Sequence, residues 1–207
     1  MTFEQLNELL EGTLQESGMT AYSPVQQAIL TRIKQGGDAL FTGASEESTT
    51  GLAIASVIKA PKAFEGSPRV LILSPTIDSV HAVNNLLKNW IRRTEIAVEL
   101  AHDKGNMILE RNNIFDGADI ITGNPKRILE LYNQNGIHVG QLNLLIVDYA
   151  DEIAKDPVMV QRVLRLAESL PKCQRFIVCR TVTPRVEKMV EELCINPKII
   201  DLETVNS

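Results

Sequence analysis

A stretch of small and polar residues at positions 38–51 has the composition of a loop that could hold phosphate. Within it, three apolar residues, Ala39, Leu40 and Phe41, predict a buried strand, small and polar residues follow, and an apolar helical pattern begins at Thr50. In a strand–loop–helix unit, free N–H groups and the dipole of the helix N-terminus face the loop, and both attract an anion. The arrangement predicts a nucleotide-phosphate loop.

The residues of this loop depart from the pattern G-x-x-x-x-G-K-[ST], in which a lysine neutralises the outer phosphates. With Thr50 as the hydroxyl, Thr49 falls at the lysine position, and Glu46 and Ser48 fall where later glycines are usual. A helix N-terminus favours an anion by about 0.3–1 kcal/mol, whereas a carboxylate ~5 Å away costs roughly 3 kcal/mol. We therefore expect Glu46 or Glu47 to occupy the anion site from within. The alternative is a polar turn that caps a helix.

Composition limits the possible classes of protein. The chain has 207 residues, 44% of them hydrophobic, which is enough for one well-packed domain. A net charge of -5 argues against indiscriminate nucleic-acid binding, although a local basic patch is compatible with it. No stretch resembles a signal peptide or a membrane span, so we expect a cytoplasmic protein without a membrane partner. Reduced thiols and no metal site are expected, because neither the histidines nor the cysteines have metal-ligand spacing: Cys173, Cys179 and Cys194.

The phosphate loop must be positioned by strands that alternate with helices along the whole chain. Helices are predicted over 3–16, 25–34, 50–60, 77–92, 107–115, 125–133, 157–169 and 184–193. Strands are predicted over 39–41, 69–74, 96–100, 118–122, 142–147, 175–179 and 198–202. This alternation predicts an α/β fold with a doubly wound, mostly parallel sheet of about seven strands and helices on both faces. A single domain over 1–207 is expected, with amino-terminal helices in 3–36 and the sheet core in 38–204.

Ligands of such folds lie at the carboxyl ends of the strands. The segments there are 38–51, Pro75-Thr76-Ile77-Asp78, Lys104-Gly105, Asn124-Pro125-Lys126-Arg127, Asp148-Tyr149-Ala150-Asp151 and Cys179-Arg180-Thr181. Their order and spacing resemble the amino-terminal RecA-like domain of DEAD-box RNA helicases. The patterns of that family are a phosphate loop, P-T-R-E-L-A, a glycine pair, T-P-G-R, D-E-A-D and S-A-T. The resemblance covers essentially the whole chain and implies a RecA-like fold of the P-loop NTPase type.

The segment 18–26 resembles the adenine-reading segment of the same family, G-F-x-x-P-T-x-I-Q. Gln26 takes the glutamine position, and Phe3 is a candidate for the upstream aromatic residue. The resemblance implies that Ser23, Gln26 and Thr50 are the remaining nucleotide-binding positions. One interpretation is therefore adenine-nucleotide binding without turnover.

The positions that carry catalysis in the family are altered here. Thr49 replaces the lysine, and Tyr149 replaces the glutamate of D-E-A-D that positions or activates water. A phenol, with an ordinary pKa near 10, is a poor base at neutral pH. Because Arg180 replaces the small alanine of S-A-T, we expect it to pair with Asp148 or Asp151 in the space that magnesium would need. No active catalytic residue is expected among the degenerate positions Thr49, Thr50, Asp148, Tyr149 and Asp151.

The positions that contact RNA in the family match its pattern more closely than the catalytic positions do. They are Thr76, Lys104, Gly105, Asn124, Lys126 and Arg127. A helix start that presents N–H groups beside lysine and arginine suits a nucleic-acid phosphate. The alternative for Asn124 and Pro125 is an ordinary helix cap.

The resemblance and its departures imply a helicase-like domain that has lost ATP hydrolysis and binds RNA or a helicase or ribonucleoprotein partner. No cofactor is expected under this interpretation. The alternative is the ATP-binding half of an ATP-dependent RNA helicase, with ATP and magnesium as cofactors. That half would work with a separate second RecA-like domain, which supplies the arginine finger in the family.

Overall fold

The computed structural model describes residues 3–16, 18, 20–60 and 67–205, and the side chains of these residues except 3–7 and 9. The Phe3 side chain, a candidate for the adenine site, therefore lies outside the described residues. The elements are, in order, α1 (Phe3–Glu16), α2 (Pro24–Gln35), β1 (Ala39–Thr42), α3 (Glu46–Lys59), β2 (Val70–Leu73), α4 (Ile77–Ile91), β3 (Val98–Ala101), α5 (Met107–Gly117), β4 (Ile120–Gly123), α6 (Pro125–Asn133), β5 (Leu144–Val147), α7 (Ala150–Ile153), α8 (Pro157–Glu168), β6 (Gln174–Val178), α9 (Pro184–Leu193), β7 (Lys198–Asp201) and α10 (Leu202–Val205).

The seven strands form one sheet in the order β3-β4-β2-β5-β6-β1-β7. Every strand pair is parallel, which confirms the predicted α/β class. Parallel neighbours need crossover connections, and the α-helices between the strands supply them. The carboxyl ends of all seven strands therefore meet at one edge of the sheet, where the polar segments lie.

Both faces of the sheet are covered by helices, as predicted. Alternate residues of β5 point to opposite faces: Ile146 packs with a cluster from α1–α4, and Leu145 packs with a cluster from α5–α9. On the first face, the rings of Phe41 and Phe176 meet edge to face with centroids 5.0 Å apart. None of the described helices combines the length and apolar character that crossing a bilayer requires.

Two details differ from the sequence-based prediction. The four-residue helices α7 and α10 were not predicted, because one turn is too short to show a helical period. Helix α3 begins at Glu46 rather than at Thr50, so the polar loop before it is shorter than expected.

Candidate functional site

Only three residues, Gly43, Ala44 and Ser45, separate β1 from α3. Ser45 caps α3: its Oγ accepts a hydrogen bond from the N–H of Ser48 (3.4 Å), and the Ser48 Oγ accepts one from the N–H of Ser45 (2.9 Å). Positions 46–50, which the phosphate-loop pattern assigns to an open loop, therefore form the first turn of a helix.

The hydroxyl groups of Thr49 and Thr50 bond within this helix. Thr49 Oγ1 donates to the carbonyl of Ser45 and Thr50 Oγ1 donates to the carbonyl of Glu46, each at 3.2 Å. Thr50 is the residue that should ligate magnesium by resemblance. Its hydroxyl proton is directed at the backbone of α3.

Neither glutamate caps the helix, so the expectation that Glu46 or Glu47 fills the anion site is wrong. Glu47 Oε2 accepts a hydrogen bond from the hydroxyl of Ser23 (3.0 Å), and Glu46 is exposed in the first turn. A serine hydroxyl at the Ncap position satisfies the helix N–H groups and leaves the carboxylates free to point outward. The segment is instead a polar turn that caps a helix, which was the alternative interpretation of the sequence.

The N–H groups of the loop donate to protein acceptors. Gly43 donates to the carbonyl of Arg180 (3.2 Å), Ala44 to that of Cys179 (3.1 Å), and Thr49 to that of Ser45 (3.1 Å). Gly43 has a φ of +69°, and a Cβ on it would lie 2.6 Å from Glu203 Cγ. The loop is thus closed by the end of β6 on one side and crowded by α10 on the other.

The two residues expected to read adenine cap α2. Ser23 Oγ accepts from the N–H of Gln26 (3.3 Å), and Gln26 Oε1 accepts from the N–H of Ser23 (3.0 Å). Gln26 is only 3% exposed, and Gly51 of α3 lies against its Cα. This capping box joins α2 to α3, and adenine reading by Ser23 and Gln26 stays a prediction.

Asp148 lies at the end of β5 with only 3% of its surface exposed. Its Oδ1 accepts a hydrogen bond from the N–H of Tyr149 (2.9 Å), while its buried Oδ2 has no hydrogen-bond partner among the described residues. Burial raises the pKa of Asp148 from 3.8 to about 7, although the Tyr149 N–H acts in the opposite direction. Without a bound cation, this carboxyl is therefore partly protonated at neutral pH.

Tyr149 adopts a left-handed backbone conformation, with a φ of 52° and a ψ of 46°. This conformation is unfavourable for a bulky residue and turns the chain sharply from β5 into α7. Burial, and then the nearby Asp148, raise the pKa of the phenol above 10.0. Tyr149 is neutral at physiological pH and cannot act as the base that glutamate supplies in D-E-A-D.

The expected ion pair between Arg180 and a carboxylate is not formed, so that prediction is wrong. No ion pair joins Arg180 to Asp148 or Asp151, all three of which are described. Instead, the Arg180 backbone N–H donates to Asp151 Oδ1 (3.2 Å), and the guanidinium lies 5.9 Å from the centroid of the Tyr149 ring. The exposed guanidinium stays in water, which costs less than pairing with the buried Asp148.

A cleft of about 440 Å³ connects this segment with the start of α4. The residues that line it are Pro75, Thr76, Asp78, Ser79, Ala82, Tyr149, Asp151, Glu152 and Arg180. It carries three carboxylates and one guanidinium, an unfavourable balance for a phosphate group.

Arg127, a predicted phosphate contact, is buried and engaged inside the protein. Its side chain is 6% exposed and forms ion pairs with Glu110 (2.6 Å) and Glu130 (3.2 Å). Both Nη groups also donate to the carbonyl of Gly105, at 3.3 and 3.4 Å. The guanidinium thus links the loop after β3 to α5 and α6, and it is not available to a phosphate.

Gly105 is required by this packing, because a Cβ at that position would clash with Glu110 Oε1. Glu110 also accepts a hydrogen bond from the N–H of His102 (3.2 Å). Glu110 was missed by the sequence analysis: its role depends on partners far away in the sequence, and no local pattern marks it.

The remaining nucleic-acid positions come together at the ends of β2, β3 and β4, which are neighbours in the sheet. Thr76 caps α4 by accepting from the N–H of Ser79 (3.1 Å), and Asn124 caps α6 by accepting from the N–H of Arg127 (2.9 Å). The ordinary helix cap is therefore present at both positions.

The cations at this edge are partly neutralised. Lys126 Nζ lies 3.5 Å from Asp103 Oδ2, and the Asn124 amide donates to Asp103 Oδ1 (2.8 Å). That hydrogen bond and the lysine lower the pKa of Asp103, so it stays ionised. Lys104 is exposed and forms no ion pair with another described residue.

Comparison with known proteins decides the family. The sequence model of the DEAD/DEAH box helicase family matches residues 23–191. The chain belongs to the DEAD/DEAH box helicase family. Among similar proteins, the chloroplastic DEAD-box ATP-dependent RNA helicase 3B of Zea mays is 25% identical over 95% of this chain and 27% of its own length.

Solved DEAD-box structures share the RecA-like fold. A DEAD box protein from Methanococcus jannaschii has a TM-score of 0.84 at 15% identity, over 93% of this chain and 53% of that one. Dbp5 of S. cerevisiae, bound to RNA and ADP BeF3, has a TM-score of 0.80 at 16% identity, over 96% of this chain and 51% of Dbp5. A second structure shows Dbp5 bound to Nup159 and Gle1. The chain thus spans about half of these DEAD-box proteins.

The DEAD-box fold implies magnesium and ATP, so the fit of these groups can be tested on the geometry. The N–H groups of Gly43, Ala44, Ser45, Ser48 and Thr49 are already hydrogen-bonded within the protein. No lysine stands in the loop, and two glutamates begin α3. This arrangement does not fit a magnesium-bound triphosphate.

Proposed function

We propose that this DEAD-box domain has lost ATP hydrolysis and acts as a noncatalytic binding module. The observation that carries the proposal is the start of α3 at Glu46, with Ser45 as its cap. This start converts the phosphate loop into a helical turn in which the N–H groups of Ser48 and Thr49 donate to Ser45. The neutral Tyr149 phenol at the position of the attacking-water glutamate supports the same conclusion.

The partner that the charges favour is a protein of a helicase or ribonucleoprotein assembly. Of the three basic residues expected to contact RNA, Arg127 is committed to Glu110 and Glu130, and Lys126 pairs with Asp103. Only Lys104 is left without an ion pair at this edge of the described structure. Phosphate contacts by lysine and arginine dominate RNA affinity, so strong RNA binding is not expected here.

RNA is the second candidate, because one observation favours it. Thr76, Lys104, Gly105, Asn124 and Lys126 lie at the ends of neighbouring strands, beside the N-termini of α4 and α6. Dbp5, which shares the fold, is bound to RNA in one structure.

Fluorescence anisotropy with a single-stranded RNA at two salt concentrations separates these candidates. A Lys104→Glu/Lys126→Glu variant tests whether RNA binds at the carboxyl ends of β3 and β4. A Lys88→Glu/Lys188→Glu variant is the control, because it makes the same two charge reversals at exposed helix positions. We expect weak RNA binding that falls steeply with salt and disappears only in the first variant. Tight binding that survives in the first variant would place the RNA contact elsewhere.

The alternative of an ATP-binding helicase half rests on the retained Thr50, Asp148 and Asp151 and on the match to about half of the chain in the two DEAD-box structures compared above. Phosphate release from magnesium-ATP, with and without single-stranded RNA, tests it. The proposal predicts release no faster than in a blank without protein. A Thr49→Lys/Tyr149→Glu variant restores both family side chains and is also expected to stay inactive, because α3 still begins at Glu46. RNA-stimulated release by the unaltered chain would overturn the proposal.

A further inference from the structure

A second concave surface lies at the opposite edge of the sheet, where the strands begin. It is a cleft of about 690 Å³ at the amino ends of β1, β5 and β6. Its lining residues are Gly36, Gly37, Asp38, Lys59, Asn143, Lys172, Cys173, Gln174 and Ile195. The proposed loss of ATP hydrolysis involves none of them.

This cleft is basic in a chain whose net charge is -5. Lys59 lies in the last turn of α3 and Lys172 lies just before β6, and neither forms an ion pair with a described residue. Arg32 and Lys34 lie in the last turn of α2, which ends beside Gly36. Lys59 and Lys172 line the cleft, and the Arg32 guanidinium lies beside it, where it donates to the carbonyl of Asp38 (2.6 Å).

The single carboxylate in the lining does not offset these cations at the surface. Asp38 is buried, and its two oxygens accept hydrogen bonds from the backbone N–H groups of Arg175 (2.8 Å) and Ile195 (2.7 Å). Its charge is thus held inside, where it fixes the starts of β6 and of the segment after α9. The other charged side chains among the described lining residues, Lys59 and Lys172, are positive.

An apolar side chain stands beside these cations. Ile195 is 77% exposed, although isoleucine is among the residues most often buried. Gly36 and Gly37 carry no side chain, and Cys173 is half-buried, so the floor of the cleft is open to an aliphatic group. The cleft combines an apolar contact with flanking positive charge.

An apolar contact flanked by positive charge suits an acidic peptide better than RNA. Grooves for single-stranded RNA commonly add aromatic platforms on which bases stack, and none of the described residues that line this cleft is aromatic. We propose that this cleft docks an acidic segment of a partner protein, with an aliphatic side chain against Ile195 and carboxylates facing Lys59 and Lys172. Charge complementarity of this kind sets specificity and the rate of encounter.

The test is an amide chemical-shift titration of the whole chain with a synthetic peptide of aspartate and glutamate around a central pair of leucines. Saturable shifts are expected at Gly36, Gly37, Cys173 and Ile195, and they should weaken with added salt. Two control peptides separate the contributions of charge and of apolar contact to binding. One has lysines in place of the acidic residues, and the other has serines in place of the leucines. Both should bind at least about tenfold more weakly.

Variants of the chain complete the test. Lys172→Glu should weaken the acidic peptide at least about tenfold, and Ile195→Ser should weaken it several-fold, while the Lys88→Glu/Lys188→Glu control binds as the unaltered chain does. Both substituted side chains are exposed, so the fold is kept, and circular dichroism checks this. The proposal is overturned if no saturable shifts occur, if they fall outside the cleft, or if Lys172→Glu binds equally well. Stronger competition by single-stranded RNA for the same amides would also overturn it.

Discussion

The carboxyl of Asp148 is buried at the end of β5, and its titration can be tested directly. Its Oδ2 has no hydrogen-bond partner in the described part of the chain, and burial raises its pKa to about 7. In the unfolded chain the same group titrates near 3.8. The folded protein therefore keeps a proton that the unfolded chain has lost between these two values, so the free energy of unfolding falls as pH rises from about 4 to about 7.

An Asp148→Asn variant should remove most of this pH dependence. The difference between the two pKa values corresponds to an upper limit of about 4 kcal/mol between pH 4 and pH 8. Urea unfolding at several pH values measures it, with Asp116→Asn, on the exposed side of α5, as the control. The asparagine amide also lacks a partner, so the substitution can lower stability at every pH. The test is therefore the slope of the free energy of unfolding with pH, and not its absolute value. If the free energy of unfolding changed with pH equally in Asp148→Asn and in the unaltered chain, the raised pKa of Asp148 would be contradicted.

Arg127 provides a second test at the scale of single residues. Replacing it with alanine leaves Glu110 buried without its counter-charge, so we expect the free energy of unfolding to drop by about 3–5 kcal/mol. Lys126→Ala, one position away on the exposed side, should change it by less than about 1 kcal/mol. If Arg127→Ala cost no more than Lys126→Ala in urea unfolding, the guanidinium would be free for RNA as first expected.

The start of α3 is the decisive feature at the scale of elements. Ser45→Ala removes the cap and should lower the free energy of unfolding by about 1 kcal/mol, whereas Ser45→Asp should keep most of it. Ser169→Ala, at the carboxyl end of α8, is a matched control because that hydroxyl makes only one long hydrogen bond, to the carbonyl of Arg165 (3.4 Å). Equal stability of Ser45→Ala and the unaltered chain, in thermal melts, would show that α3 does not depend on this cap.

Local signals in the sequence explain why some elements were predicted closely and others were not. The starts of α6 and α9 follow from prolines after polar caps, and both helices have the predicted bounds. The start of α3 was missed because the phosphate-loop pattern was given more weight than the capping box formed by Ser45 and Ser48. The partners of Arg180 and Arg127 could not be predicted, since they depend on contacts between elements distant in sequence.

At the scale of the whole molecule, the two edges of the sheet differ in charge. The cleft between α4 and α7, at the carboxyl edge, carries three carboxylates and one guanidinium, whereas the cleft at the amino edge carries two unpaired lysines. In a DEAD-box fold the carboxyl edge is where a ligand is expected. The capped start of α3 and the basic cleft at the far edge both support the proposal that this domain binds a partner without hydrolysing ATP.

The central claim is that the first turn of α3 has closed the phosphate loop. The most direct measurement is an amide chemical-shift titration with magnesium-ATP that follows the resonances of residues 43–50. We predict that the amides of Gly43, Ala44, Ser48 and Thr49 do not shift with saturation, because their N–H groups already bond to Arg180, Cys179 and Ser45. Saturable shifts confined to these amides, with release of the Ser45 cap, would contradict it.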